Sequence, residues 1–217
     1  MIGVIFDIDG VLVDSGKAHF NAWVRLGNEI GVPINKKVLK RTFGMHGHYI
    51  IKEWLGDNLP KQKIIRLADK KEAIFRSMVD NCVKPIAGSV KLIRELHNAG
   101  IKLAVASSGP RKNVEKILRF LKVEKYFPVR ITGDDVTKGK PDPEVFIKAV
   151  KRLKLKPSQC VVIEDAPLGI LAAKNAGVKV IGITTCWKRM DLISADLVIG
   201  SFTASTLKQL YNLISHK

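Results

Sequence analysis

The chain lacks any apolar run near the roughly 20 residues that span a bilayer, which argues against a transmembrane helix. Cysteine is sparse: Cys82, Cys160 and Cys186 are odd in number and far apart. That pattern argues against a disulfide framework and against a zinc site, and the expected setting is a reducing cytoplasm. Neither a basic leader nor a small-residue cleavage site surrounds Ile2–Phe6, so no secretory signal is expected. Internal repeats and low-complexity tracts are also missing. Acidic residues are few beside basic ones, 20 against 37, for a formal net charge of +17. A field of that sign draws anions, either phosphorylated metabolites or nucleic acid. Yet the densest basic cluster, Lys36, Lys37, Lys40 and Arg41, has no interleaved aromatics. It reads as a solvated helix face, and no nucleic-acid partner is expected.

What is present is ample for a core: 217 residues, 46% of them hydrophobic. Ile2–Phe6 is a short, β-branched apolar run that stops at Asp7, Asp9 and Gly10. Such a run reads as a strand buried on both faces, the kind found in parallel sheets covered by helices. From Lys17 the pattern turns helical, with Ala18, Trp23, Leu26 and Ile30 in register and Gly31 and Pro33 as the stop. Asn35 can cap a second helix through Arg41. Gly44–Tyr49 reads as a loop, His48–Leu55 as a third helix, and Pro60–Asn81 as a long fourth. Residues 16–83 therefore look all-helical. Near Lys84-Pro85 the style reverts. Strands are expected at Leu103–Ala106, Val129–Thr132, Val161–Ile163, Val180–Ile183 and Leu197–Ile199, with helices between the first four and a last helix over Ser205–Ile214. The alternation predicts an α/β fold, a doubly wound parallel sheet over 1–15 and 84–217, with a helical domain, 16–83, inserted after the first strand.

Right-handed crossovers bring the carboxyl ends of parallel strands to one edge, where open α/β sheets bind ligands. Three predicted strand ends carry polar clusters: Asp7 and Asp9, then Ser107, Ser108 and Gly109, then Glu164 and Asp165. A fourth cluster, Lys138–Pro143, holds Lys140. Three or four carboxylates around a point form a hard-oxygen site suited to Mg²⁺. A lysine and a hydroxyl beside it suit a phosphoryl group. Asp7 can act as a nucleophile and Asp9 as a proton shuttle. Alone, each cluster has a plain alternative, a strand-end turn or a helix cap.

As a set, in this order and spacing, DxDG at Asp7–Gly10, Ser107, Lys140 in GKPDP and the Glu164-Asp165 pair resemble the four motifs of the haloacid dehalogenase superfamily of phosphohydrolases. Val11–Ser15, Ala18–Trp23 and Glu164–Gly177 are most similar to its β-phosphoglucomutase-like sugar phosphatases, which carry a small helical cap on a Rossmann-like core. The resemblance implies that Asp7 is nucleophile and Mg²⁺ ligand, and that Asp9 is general acid and then base, with its carbonyl on the metal. It also implies that Ser107 and Lys140 hold the phosphoryl group with Ser108 assisting, that Asp165 binds Mg²⁺ with Glu164 direct or through water, and that Lys140–Pro141 is cis. The expected substrate is a small phosphorylated metabolite and the expected state a monomer.

Relatives can be set aside on single residues. Dehalogenases lack the second aspartate, which is present as Asp9. Phosphonate hydrolases need a cap lysine and the mutases carry a cap arginine, where this chain has Gly47. Arg41 and Lys52 are near enough in sequence to substitute, so a phosphosugar mutase stays as an alternative. So does a non-enzymatic anion-binding module, which the charge favours but which has no use for Asp9. In the cap, His19 and His46 are candidate substrate contacts, as is His48. Trp23 is expected in the core.

Overall fold

The computed structural model describes residues 1–41 and 47–215. It divides into two compact units, Met1–Asp14 with Lys84–Lys217, and Ser15–Val83. The chain enters through β1 (Gly3–Phe6) and β2 (Val13–Asp14). The second unit follows, with α1 (Gly16–Glu29), α2 (Lys36–Arg41), α3 (Gly47–Leu55) and α4 (Lys61–Cys82). The first unit resumes with β3 (Lys84–Pro85), α5 (Ser89–Asn98), β4 (Lys102–Ala106), α6 (Arg111–Phe120) and β5 (Val129–Ile131). It ends with α7 (Glu144–Leu153), β6 (Cys160–Glu164), α8 (Pro167–Asn175), β7 (Lys179–Ile183), β8 (Leu197–Ile199) and α9 (Thr206–Ser215).

The sheet runs β5-β4-β1-β6-β7-β8, and every pairing in it is parallel. Both central strands are buried at every position, as their unbroken apolar runs require. One face packs Ile5, Ala104 and Val162 against Val145, Phe146 and Ala149 of α7 and Ile170 and Ala173 of α8. Phe6 meets Phe127 edge-on, ring centroids 5.8 Å apart. The expected doubly wound α/β sheet with an inserted helical segment is what the chain forms.

In the helical unit, α4 buries Ile64, Leu67, Ala68, Lys71, Ile74, Phe75 and Val79, an i, i+3, i+4, i+7 stripe. Opposite it in the same unit, α1 buries Ala18, Ala22, Trp23 and Leu26, so Trp23 is a core residue as expected. Gly31, at φ 70°, takes the left-handed turn that ends α1.

One pairing was not foreseen. β2 and β3 form a two-residue antiparallel ribbon, Val13 opposite Pro85 and Asp14 opposite Lys84. It ties together the two points where the chain leaves and re-enters the first unit. Segments this short carry no periodic signal, and Pro85 reads as a loop residue.

Candidate active site

The site begins with register. Phe6 pairs with Val105 on one side and Ile163 on the other, so Asp7, one residue past β1, stands level with Ala106 and Glu164. Its N–H continues the ladder, donating to the Ile163 carbonyl at 3.0 Å. Asp7, Glu164 and Asp165 are all buried, and each places a carboxylate oxygen within 4.8 Å of the others. Lys140 reaches in from its loop. Its ammonium donates to Asp7 Oδ1 at 2.7 Å and to Glu164 Oε1. The other Glu164 oxygen accepts the N–H groups of Asp165 and Ala166, at 2.9 and 3.0 Å. The Lys140–Pro141 peptide bond is cis.

Two glycines make room. A Cβ on Gly169 would fall on the Glu164 carboxylate, and one on Gly10 would fall on that of Asp165. Gly10 is also at φ 75°, where a side chain is strained. Ser107 is buried at the end of β4. The Gly109 N–H donates to its Oγ at 3.0 Å, which leaves the hydroxyl hydrogen to be given to a ligand. Ser108 and Gly109 lie half-buried in the same turn.

Charge is out of balance here: three carboxylates face one ammonium. Burial first, and then its acidic neighbours, lift Asp7 well above the usual carboxylate range against the pull of Lys140. Burial and Glu164 push Asp165 up to about 7. Burial works against the charge on Lys140, but Asp7 and Glu164 outweigh it and raise its pKa. Carboxylates in this condition take up either protons or a cation. The donors are all hard oxygens, and the cluster fits a divalent metal ion.

Asp9 lies beyond the end of β1. Its carboxylate is not among the three clustered ones, because β1 ends at Phe6 and the chain turns through Asp9 and Gly10. Asp9 is half-buried and close enough that its charge raises both Asp7 and Asp165. In the helical unit, the His19 ring stacks on Phe75 at 3.8 Å and its Nδ1 meets Lys71 Nζ at 2.7 Å. His46 lies outside the described residues. Gly47 opens α3, where a Cβ would sit 3.8 Å from Trp23 and Ala68.

Two neighbours of the site were missed from sequence. Thr185 Oγ1 donates to the Gly10 carbonyl at 2.5 Å. Cys186 is exposed as a residue, but its thiol faces Asp165, and the loss of water around the sulfur there, with that carboxylate, pushes it up to about 12. Both follow β7, so strand-end reasoning applied to Ile183 as well would have found them.

A sheet with these groups at its carboxyl edge defines a class of phosphoryl-transfer hydrolase, and sequence comparison agrees. Residues 4–183 match the haloacid dehalogenase-like hydrolase family, and the chain belongs to it. It is 35% identical over 203 residues to the validoxylamine A 7′-phosphate phosphatase of Streptomyces hygroscopicus subsp. limoneus, covering 92% of this chain and 93% of that protein. It is 32% identical over 219 residues to the β-phosphoglucomutase of Bacillus subtilis, covering 97% and 94%. Among solved structures, a family IA, variant 3 hydrolase from Entamoeba histolytica superimposes with a TM-score of 0.89 at 28% identity, over 99% of both chains.

Proposed function

We propose that this chain hydrolyses small phosphate monoesters, sugar phosphates above all, through an aspartyl-phosphate on Asp7. The observation that carries this is the buried Asp7–Glu164–Asp165 cluster with the Lys140 ammonium 2.7 Å from Asp7. An Asp7 oxygen attacks phosphorus as the bond to the ester oxygen breaks. Asp9 gives its proton to the departing alkoxide. Lys140 and the Ser107 hydroxyl hold the transferring oxygens, with Ser108 and Gly109 shaping the turn beside them. Water then attacks phosphorus, Asp9 takes its proton, and inorganic phosphate leaves as Asp7 is restored.

Mg²⁺ suits the donor set, and Asp7, Glu164 and Asp165 with the Asp9 carbonyl would hold it. When bound, it supplies the positive charge that lets a phosphate dianion approach three carboxylates. Cysteine usage fits the cytoplasm and the excess of basic residues fits phosphorylated metabolites, and we include both, with a monomeric state, in this reading.

The second reading is a phosphosugar mutase, favoured by the likeness to the Bacillus enzyme. A mutase must grip a phosphate at the far end of its substrate, a task for a bidentate donor. Gly47 offers no side chain where the mutases carry arginine. A panel of phosphate monoesters with Mg²⁺, read by phosphate release, separates the two when run beside β-glucose 1-phosphate primed with the bisphosphate. The expected result is phosphate from several substrates and little glucose 6-phosphate. Primed isomerisation much faster than phosphate release would establish the mutase instead.

A further inference from the structure

A polar relay runs behind the site, between the two loops that carry its phosphate-holding groups. Glu144, the first residue of α7, reaches back over the Lys140 loop. One of its oxygens accepts the Thr137 N–H at 2.8 Å, the Thr137 hydroxyl at 2.9 Å and the Lys138 N–H at 3.0 Å. The other accepts Lys148 Nζ at 2.5 Å, and the same ammonium donates to the Asp135 carbonyl at 2.6 Å. The Asp135 carboxylate in turn takes Arg111 Nη2 at 2.7 Å on both oxygens, and the Thr132 N–H and hydroxyl at 2.9 and 2.7 Å. Arg111 opens α6, with Pro110 between it and the Ser107–Gly109 turn, and its N–H donates to Asp134 at 3.0 Å. The Gly133 N–H binds the Gly109 carbonyl at 2.8 Å, and a Cβ on Gly133 would fall on the Ser108 carbonyl.

None of these side chains sits in the acidic cluster. Glu144 spends one oxygen on the segment leading to Lys140 and the other on Lys148 of its own helix. Hydrogen bonds from Lys148 and from the Lys138 and Thr137 amides hold its carboxyl down to about 2. Hydrogen bonds from Thr132, with Arg111 beside it, lower Asp135 despite its partial burial. A lysine on a loop keeps a bent, two-carboxylate grip only if the loop's backbone is fixed, because orientation is lost with small displacements.

We propose that Glu144 and Asp135 are positioning residues that lock the Lys140 loop and the Ser107–Gly109 turn into one rigid phosphate cradle. The assignment rests on Lys140 and Ser107 holding the phosphoryl group, as inferred above. Glu144 acts through Thr137 and Lys138. Asp135 joins that loop to the turn, its carbonyl held by Lys148 and its carboxylate by Arg111.

The test is competitive inhibition by inorganic phosphate, measured with steady-state kinetics and melting temperature for Glu144→Gln, Asp135→Asn and the double variant. We expect the phosphate inhibition constant to rise roughly ten- to a hundredfold in each single variant, with kcat/KM falling in step. We expect the double variant to be little worse than either single one, since both break the same relay. Lys148→Met, which leaves both carboxylates in place, should shift the same constant in the same direction if Glu144→Gln fails to fold. An unchanged phosphate constant beside a lowered melting temperature would mean a structural role and overturn the proposal. So would single effects that multiply in the double variant. Failure of the parent reading looks different, because the unaltered protein would then release no phosphate from any monoester.

Discussion

The two units bury charge in opposite ways. In the helical unit Lys71 is buried, but its ammonium is 2.8 Å from Glu72 and 2.7 Å from His19, with Trp23 and Phe75 rings about it at 5.2 and 5.6 Å. That charge is answered locally. In the sheet unit three buried carboxylates share the single ammonium of Lys140, and Asp7 and Asp165 are both displaced toward their protonated forms. Uncompensated buried charge costs several kcal/mol per ion and persists where function uses it. The contrast fits the proposed function, in which the sheet edge would take a cation and an anionic substrate, whereas the buried charge of the helical unit already has partners of its own.

The contrast breaks most sharply at Asp7. Asp7→Asn removes the nucleophile, and turnover should fall roughly 10⁴-fold or more with no phosphoenzyme detectable by mass spectrometry. Asp9→Asn should cost about 10²–10⁴-fold yet still accumulate phosphoenzyme from an ester with a good leaving group. Equal loss of phosphoenzyme in both would reverse these roles.

Next comes the space around Glu164. Gly169→Ala drives a methyl group into that carboxylate and must displace it from Lys140 and from the Asp165 and Ala166 amides. The Mg²⁺ concentration for half-maximal activity should rise roughly 10–100-fold, as when a residue that supports a metal ligand is lost. An unaltered Mg²⁺ requirement would remove Glu164 from the ion's surroundings.

In the helical unit, Lys71→Met should lower stability by about 1–3 kcal/mol, the cost of leaving its partners unanswered. The loss should be the same with and without Mg²⁺. A loss that Mg²⁺ repairs would show that the two clusters are not separate.

The smallest effect is one of pH. Glu144 is held to about 2 in the fold and would titrate near 4.3 in the unfolded chain. Its folded value is depressed, so its contribution is complete above about 4.3 and is lost as pH falls through 2. Melting temperature of the unaltered protein should drop more than that of Glu144→Gln across this window, and the two curves should converge at its acid end.

Much of the sheet unit was legible because parallel strands are unbroken apolar runs and their ends share an edge. Asp7, Ser107, Glu164 and Asp165 could be placed from that rule alone. The place of the Asp9 carboxylate outside the acidic cluster could not, because the strand stops at Phe6 and the turn at Gly10 has no period. The β2–β3 ribbon was hidden for a similar reason, two residues being too few to show a pattern. The Arg111–Asp135 and Glu144–Thr137 contacts were invisible because exposed charges look alike in sequence until the fold chooses partners 24 and 7 residues apart. Nothing in the sequence showed what Gly10 and Gly169 make room for; the carboxylates beside them, and at Gly10 the positive φ as well, explain why a side chain is absent there.

The most direct test is phosphate release from the best monoester in excess chelator, followed by addition of Mg²⁺. A sheet edge short of positive charge predicts no turnover in chelator, recovery with Mg²⁺, and inhibition by Ca²⁺, whose looser coordination misplaces the nucleophile. Full activity in chelator would contradict the account, because three buried carboxylates and Lys140 would then be handling a phosphate dianion unaided.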